Sequence, residues 1–92
     1  MEKGFYVYML RCQNQALYTG WTTDLKKRLM QHNLGKGAKY THAFGPCELV
    51  YYETCHDKSE ALKREAAIKK LNKLQKEALV VSFAKQHDLS AL

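Results

Sequence analysis

Two tyrosines, Tyr8 and Tyr18, stand ten positions apart near the start of the chain. Arg28 and His32 follow at the spacing of one helical turn, and a glutamate, Glu65, comes much later. Phenols can orient or deprotonate water, an imidazole can pass a proton, a guanidinium holds an anion and a carboxylate holds a hard cation. That repertoire suits phosphodiester hydrolysis. Negative charge then builds on the nonbridging and leaving oxygens, and fixed positive charge must meet it. Tyrosine is a poor base at its ordinary pKa of about 10, so it needs nearby cations to act as one.

These residues need elements to hold them. Residues 5–11, FYVYMLR, are rich in aromatic and β-branched side chains and read as a strand. Phe5, Val7 and Met9 point one way, and Tyr6, Tyr8 and Leu10 the other. Both faces are apolar, which predicts a central strand covered on both sides. Gln13, Asn14 and Gln15 form the turn, with Asn14 best suited to a positive φ. Residues 16–20 return as a second strand, on which Tyr18 and Gly20 share a face. Gly20 lets a backbone, a side chain or a phosphate come close.

Thr22, Thr23 and Asp24 start a helix, with hydroxyls to cap it and an acid in its first turn. It runs to about Asn33, where Gly35 stops it. Leu25 and Leu29 mark its inner stripe, and Arg28 and His32 fall on that stripe. Burying either unpaired is costly. Arg28 therefore serves either a structural carboxylate or an anionic ligand, and His32 either the core or a site. Residues 35–46, GKGAKYTHAFGP, form a loop in which basic Lys36, Lys39 and His42 are interleaved with aromatic Tyr40 and Phe44. Such interleaving suits a nucleic-acid backbone and an unstacked base, or equally a solvated loop with one ring tucked inward.

Residues 48–54 form the third strand, with Leu49 and Tyr51 on one face and Val50 and Tyr52 on the other. Asp57 and Glu60 make a capping box for a second helix that runs to about Leu71. Ala61, Leu62 and Ile68 define its inner sector, and Glu65 falls within it. A carboxylate so placed is ion-paired or a metal ligand, with Arg28 the first candidate for a partner. Asn72 and Gln75 form another capping box, for a third helix over residues 73–85 with Leu74, Ala78 and Val81 inward. Residues 87–92 read as a frayed tail.

The 92 residues predict one domain spanning the chain. A formal charge of +6 and a pI near 9.3 favour a polyanionic partner, nucleic acid being the commonest. The second helix and the start of the third carry a basic stripe of Lys58, Lys63, Arg64, Lys69, Lys70, Lys73 and Lys76. The first ten residues contain an acid and too short an apolar run for a signal peptide. No segment approaches the length that spans a bilayer. Three cysteines without a framework spacing read as reduced thiols, which points to the cytoplasm. A zinc reading of Cys47, Cys55 and His56 matches no common ligand spacing.

The ordered set Tyr8, Tyr18, Gly20, Arg28, His32 and Glu65 resembles the GIY-YIG nuclease superfamily. Tyr6-Val7-Tyr8 is similar to its first motif, with Tyr6 where a glycine is usual, and Tyr18-Thr19-Gly20 to its second. The blocks HNLGKGAKYTHAFGPCELVYYE and ALKREAAIKKL resemble in particular the small stand-alone bacterial members. The resemblance implies an α+β fold in β-β-α-β-α-α order, with a three-stranded antiparallel sheet flanked by helices. It also implies a metal-dependent endonuclease that hydrolyses DNA phosphodiesters, in repair or recombination.

Carried onto this chain, Glu65 binds one Mg²⁺ or Mn²⁺, and Arg28 faces the scissile phosphate. Tyr18, with Tyr8 as the second candidate, orients or deprotonates water, and His32 contacts the phosphate or the nucleophile. Gly20, Lys36, Lys39, Tyr40 and Lys69 complete the expected substrate contacts. A monomer is expected. The competing expectation is a nucleic-acid-binding accessory module without turnover.

Overall fold

A computed structural model describes residues 4–33 and 46–86 of the chain. The elements run β1 (Phe5–Arg11), β2 (Leu17–Thr22), α1 (Leu25–Asn33), β3 (Glu48–Cys55), α2 (Lys58–Lys69) and α3 (Lys73–Gln86). The three strands form one antiparallel sheet in the order β2-β1-β3, so β1 is central as its two apolar faces require. This is the expected α+β fold in the expected order.

The sheet separates two apolar clusters. Val7 and Met9 join Val50, Tyr51, Cys55, Ala61, Ile68 and Phe83 on the side covered by α2 and α3. Tyr6, Tyr8 and Leu10 join Cys12, Leu25, Cys47 and Leu49 on the side covered by α1. Among the described residues, no helix is long and apolar enough to cross a membrane. Cys47 and Cys55 fall in opposite clusters, so the zinc reading has no convergent ligands. Cys47 instead lies against Cys12, Sγ to Sγ 3.4 Å, both as buried free thiols.

The capping signals act much as their chemistry dictates. The Asn72 side chain accepts from the Gln75 N–H at 2.8 Å, and Gln75 accepts from the Asn72 N–H at 3.0 Å. Asp57 accepts from the Glu60 N–H at 2.8 Å, while Glu60 reaches back to the His56 N–H. At α1 the division of labour differs from expectation. Asp24 is itself the cap, accepting from the Lys27 N–H at 3.1 Å, and the Thr22 hydroxyl holds the Asp24 N–H. In the hairpin the positive φ belongs to Gln15, at 70°, and not to Asn14. Asn14 holds the turn through its side chain, which accepts from the Ala16 N–H at 3.1 Å.

Three inward faces depart from the sequence pattern. A register shift between Met9 and Leu10 pairs Met9 with Tyr51 but Leu10 with Leu49. This bulge breaks the alternation of β3, sending Val50 and Tyr51 to one cluster and Leu49 to the other. On α2, Leu62 is exposed while Ala61 and Ile68 are buried. On α3, Leu74, Ala78 and Val81 face solvent, and Leu79, Val80 and Phe83 face the sheet. Both α3 stripes have helical spacing. The Phe83 ring decides between them by packing 5.5 Å from Tyr51 and 5.0 Å from Tyr52, centroid to centroid. Arg11 then ties α3 to the hairpin by a bidentate pair to Glu77 at 2.5 and 2.7 Å.

Candidate active site

A cavity of about 350 Å³ opens along the edge strand β2. Its walls are Tyr8, Tyr18, Gly20, Trp21, Thr22, Thr23, Arg28 and Glu65. Arg28 arrives on α1 and Glu65 on α2, from opposite faces of the sheet, so they meet only at its edge. Four of the five predicted catalytic side chains thus share one wall, while His32 stands behind it.

Tyr8 is buried in the centre of the sheet face. Its Oη lies 3.0 Å from His32 Nε2. The His32 ring also stands edge-on to Tyr18, at 5.3 Å between centroids. Burial above all, then the neighbouring Tyr18 phenol, pushes the Tyr8 pKa well above the usual tyrosine value; Arg28 offsets this only in part. Burial, and secondarily the Arg28 charge, lowers the His32 pKa below that of an ordinary histidine. The pair is therefore a protonated phenol against a neutral imidazole at physiological pH.

Gly20 makes this arrangement possible. A Cβ there would lie 2.6 Å from Tyr8 Oη and 2.8 Å from Cζ. Gly20 faces Tyr8 directly across the β1–β2 pair, so the group it admits is the Tyr8 ring.

Arg28 and Glu65 line the cavity without an ion pair between them among the described residues. Glu65 is about one-fifth exposed and pairs instead with Lys69, one turn along α2 at 3.6 Å. Arg28 Nε is buried and has no hydrogen-bond partner among the described residues. The structural pairing considered from the sequence is therefore not made.

Lys69 is exposed and stands off the cavity wall. The basic stripe is partly neutralised, since Arg64 pairs with Glu53 at 2.5 Å and Lys73 with Glu77 at 3.2 Å. Lys36, Lys39 and Tyr40 lie outside the described residues. Trp21, Thr22 and Thr23 are wall residues that sequence reasoning did not assign to the site. The available signal was a tryptophan beside the glycine of an edge strand that already carried Tyr18.

Among the described residues no cluster of three His, Cys, Asp or Glu side chains could enclose a metal ion. The lone Glu65 carboxylate does fit a hard divalent ion that keeps most of its water, as Mg²⁺ does.

The chain is similar to proteins already described. Residues 4–78 match the family model described as the GIY-YIG catalytic domain. A UPF0213 protein of Clostridium perfringens is 53% identical over 77 residues, covering 84% of this chain and 83% of the relative. The solution structure of a UPF0213 protein from Bacillus halodurans is 44% identical with a TM-score of 0.55, covering 84% of this chain and 82% of that one. A second solution structure, of a protein from E. faecalis, is 42% identical with a TM-score of 0.62 and covers 96% of each chain. With residues 4–78 matched by one catalytic-domain model and relatives about half identical over most of its length, the chain belongs to the GIY-YIG nuclease superfamily.

Proposed function

We propose that the β2-edge cavity is the cleavage site of a metal-dependent endonuclease that hydrolyses DNA phosphodiester bonds, working in the cytoplasm in DNA repair or recombination. The observation that carries this reading is Arg28. A guanidinium on a cavity wall, with no ion pair to neutralise it among the described residues, is set for an anion that enters the cavity. A scissile phosphate is such an anion, and membership of a nuclease superfamily supplies the reaction.

The residues divide the work as follows. Arg28 hydrogen-bonds a nonbridging phosphate oxygen and stabilises the charge that develops on it. Tyr8 keeps its proton, because burial raises its pKa, and so acts as a fixed dipole and not as a base. That leaves Tyr18, on the same wall, to orient the attacking water and, once it has released its own proton to solvent as a phenolate beside the Arg28 charge, to accept the water's proton. His32 holds Tyr8 in place from behind. Glu65 would hold the Mg²⁺ or Mn²⁺, whose Lewis acidity stabilises charge on the phosphate oxygens when the ion is bound. The exposed Lys69 keeps the carboxylate company meanwhile.

The test is cleavage of labelled duplex, single-stranded and branched DNA by wild type and Glu65→Gln, with Mg²⁺, with Mn²⁺ and with EDTA. Metal-dependent cutting by wild type alone supports the proposal. Equal cutting by both variants places the activity elsewhere. Salt-sensitive binding with no cutting on any substrate replaces the enzyme with a binding module.

A further inference from the structure

The cavity is larger than one phosphate needs. At about 350 Å³ it lies within the range of sites that take a small organic ligand, roughly 300–1,000 Å³. Among its polar members, Arg28, Glu65 and Tyr18 account for a phosphate, a cation and a water. Trp21 is the large apolar wall residue to which that reading gives no role. It directly follows Gly20 on β2 and is half-buried, packed against the Val7 and Met9 cluster while still forming cavity wall. The Lys58 ammonium, at the first residue of α2, stands 5.7 Å from the centroid of its ring. An indole held rigidly at the edge of an anion-seeking cavity, with a cation against it, has the composition of a single-strand reader. Bases stack on the aromatic face, and the backbone is attracted by the charge.

We infer that Trp21 is a stacking platform for an unstacked nucleotide beside the scissile phosphate, with Lys58 drawing in the neighbouring phosphate. The substrate is then single-stranded or branched nucleic acid, not continuous duplex, because a base inside a duplex has no free face to offer. This inference rests on the nuclease reading of the cavity and names its substrate class.

Trp21 is the chain's single tryptophan, so its fluorescence reports the site directly. The experiment titrates Glu65→Gln protein, in EDTA at low salt, with oligothymidylate, with oligouridylate and with a blunt-ended DNA duplex. The expected result is saturable quenching by a single strand and none by the duplex. The two single-strand arms show whether the sugar matters. In the same background, read by the anisotropy of a fluorescein-labelled oligothymidylate because these variants carry no tryptophan, Trp21→Ala weakens single-strand binding about 5- to 150-fold, and Trp21→Phe retains most of it. Melting curves of both variants show that each is folded.

Quenching by the duplex as strong as by the single strands overturns the inference. So does Trp21→Ala binding single strands as tightly as its parent. If wild type still cuts with metal in either case, the nuclease reading survives and only the stacking role falls. If no nucleic acid binds at all, both fall.

Discussion

The Tyr8 hydroxyl lies 3.0 Å from His32 Nε2, and each partner's pKa is driven by burial toward its uncharged form. A neutral pair suits an interior that cannot solvate charge. Neither member then serves as a proton acceptor in the cavity, because Tyr8 keeps its proton and His32 stands off the wall.

The stability consequence has a definite sign. The folded-state pKa of His32 lies below its ordinary value of 6.5. Between those two values the unfolded chain binds more protons than the folded one. The His32 contribution is therefore fully present above about pH 6.5 and declines as pH falls below it. Melting temperatures of wild type should drop across this window, and His32→Gln should flatten that part of the profile. The carboxylate window lies lower, since Glu77, hydrogen-bonded by Arg11, is held at about 2.

Arg28→Gln should lower the cleavage rate on the order of 10²- to 10³-fold if the guanidinium stabilises the transition state. It should leave the melting temperature unchanged or raise it. No ion pair among the described residues is lost, and a buried unsatisfied Nε is removed. A fall in melting temperature that tracks the loss of activity would instead make Arg28 a structural residue.

Gly20→Ala should destabilise the fold by about 1–3 kcal/mol, the range for overpacking, because its Cβ collides with the Tyr8 ring. Denaturant melts of Gly20→Ala, Tyr8→Ala and the double variant test the cause. The double variant should be more stable than the sum of the two single losses predicts.

Thr19→Val should stabilise the protein by about 1 kcal/mol. The Thr19 hydroxyl is buried in the sheet and has no hydrogen-bond partner among the described residues. Valine keeps the shape and removes the desolvated group. In a domain of this size, that corresponds to a rise of about 4–8 °C in melting temperature.

Strand existence, strand order and the capping boxes could be read from the chain because each is a local signal. The two-faced apolarity of β1 could belong only to a central strand, and Asn72 and Gln75 bonded as their types require. What could not be read was set by contacts across the fold. The bulge opposite Met9 and Leu10 depends on how β3 meets β1, and it moved Tyr51 to the other cluster from Leu49. The inward face of α3 was decided by where Phe83 found Tyr51 and Tyr52. In the site, residue types and helix faces brought out Arg28 and Glu65. Their lack of mutual pairing, the place of His32 behind the wall and the presence of Trp21 on it came only with the third dimension.

The position of the cavity on an edge strand bears on solubility as well. An open sheet edge offers unpaired backbone groups to any passing strand and invites aggregation. Here β2 is such an edge, yet it carries bulky Tyr18 and Trp21, and Arg28 of α1 and Glu65 of α2 line the cavity that runs along it. At the opposite edge, β3 carries the bulge, which twists a strand away from regular pairing. The side chains that wall the cavity on one edge and the bulge on the other are thus also features that work against a second copy of the sheet adding to it.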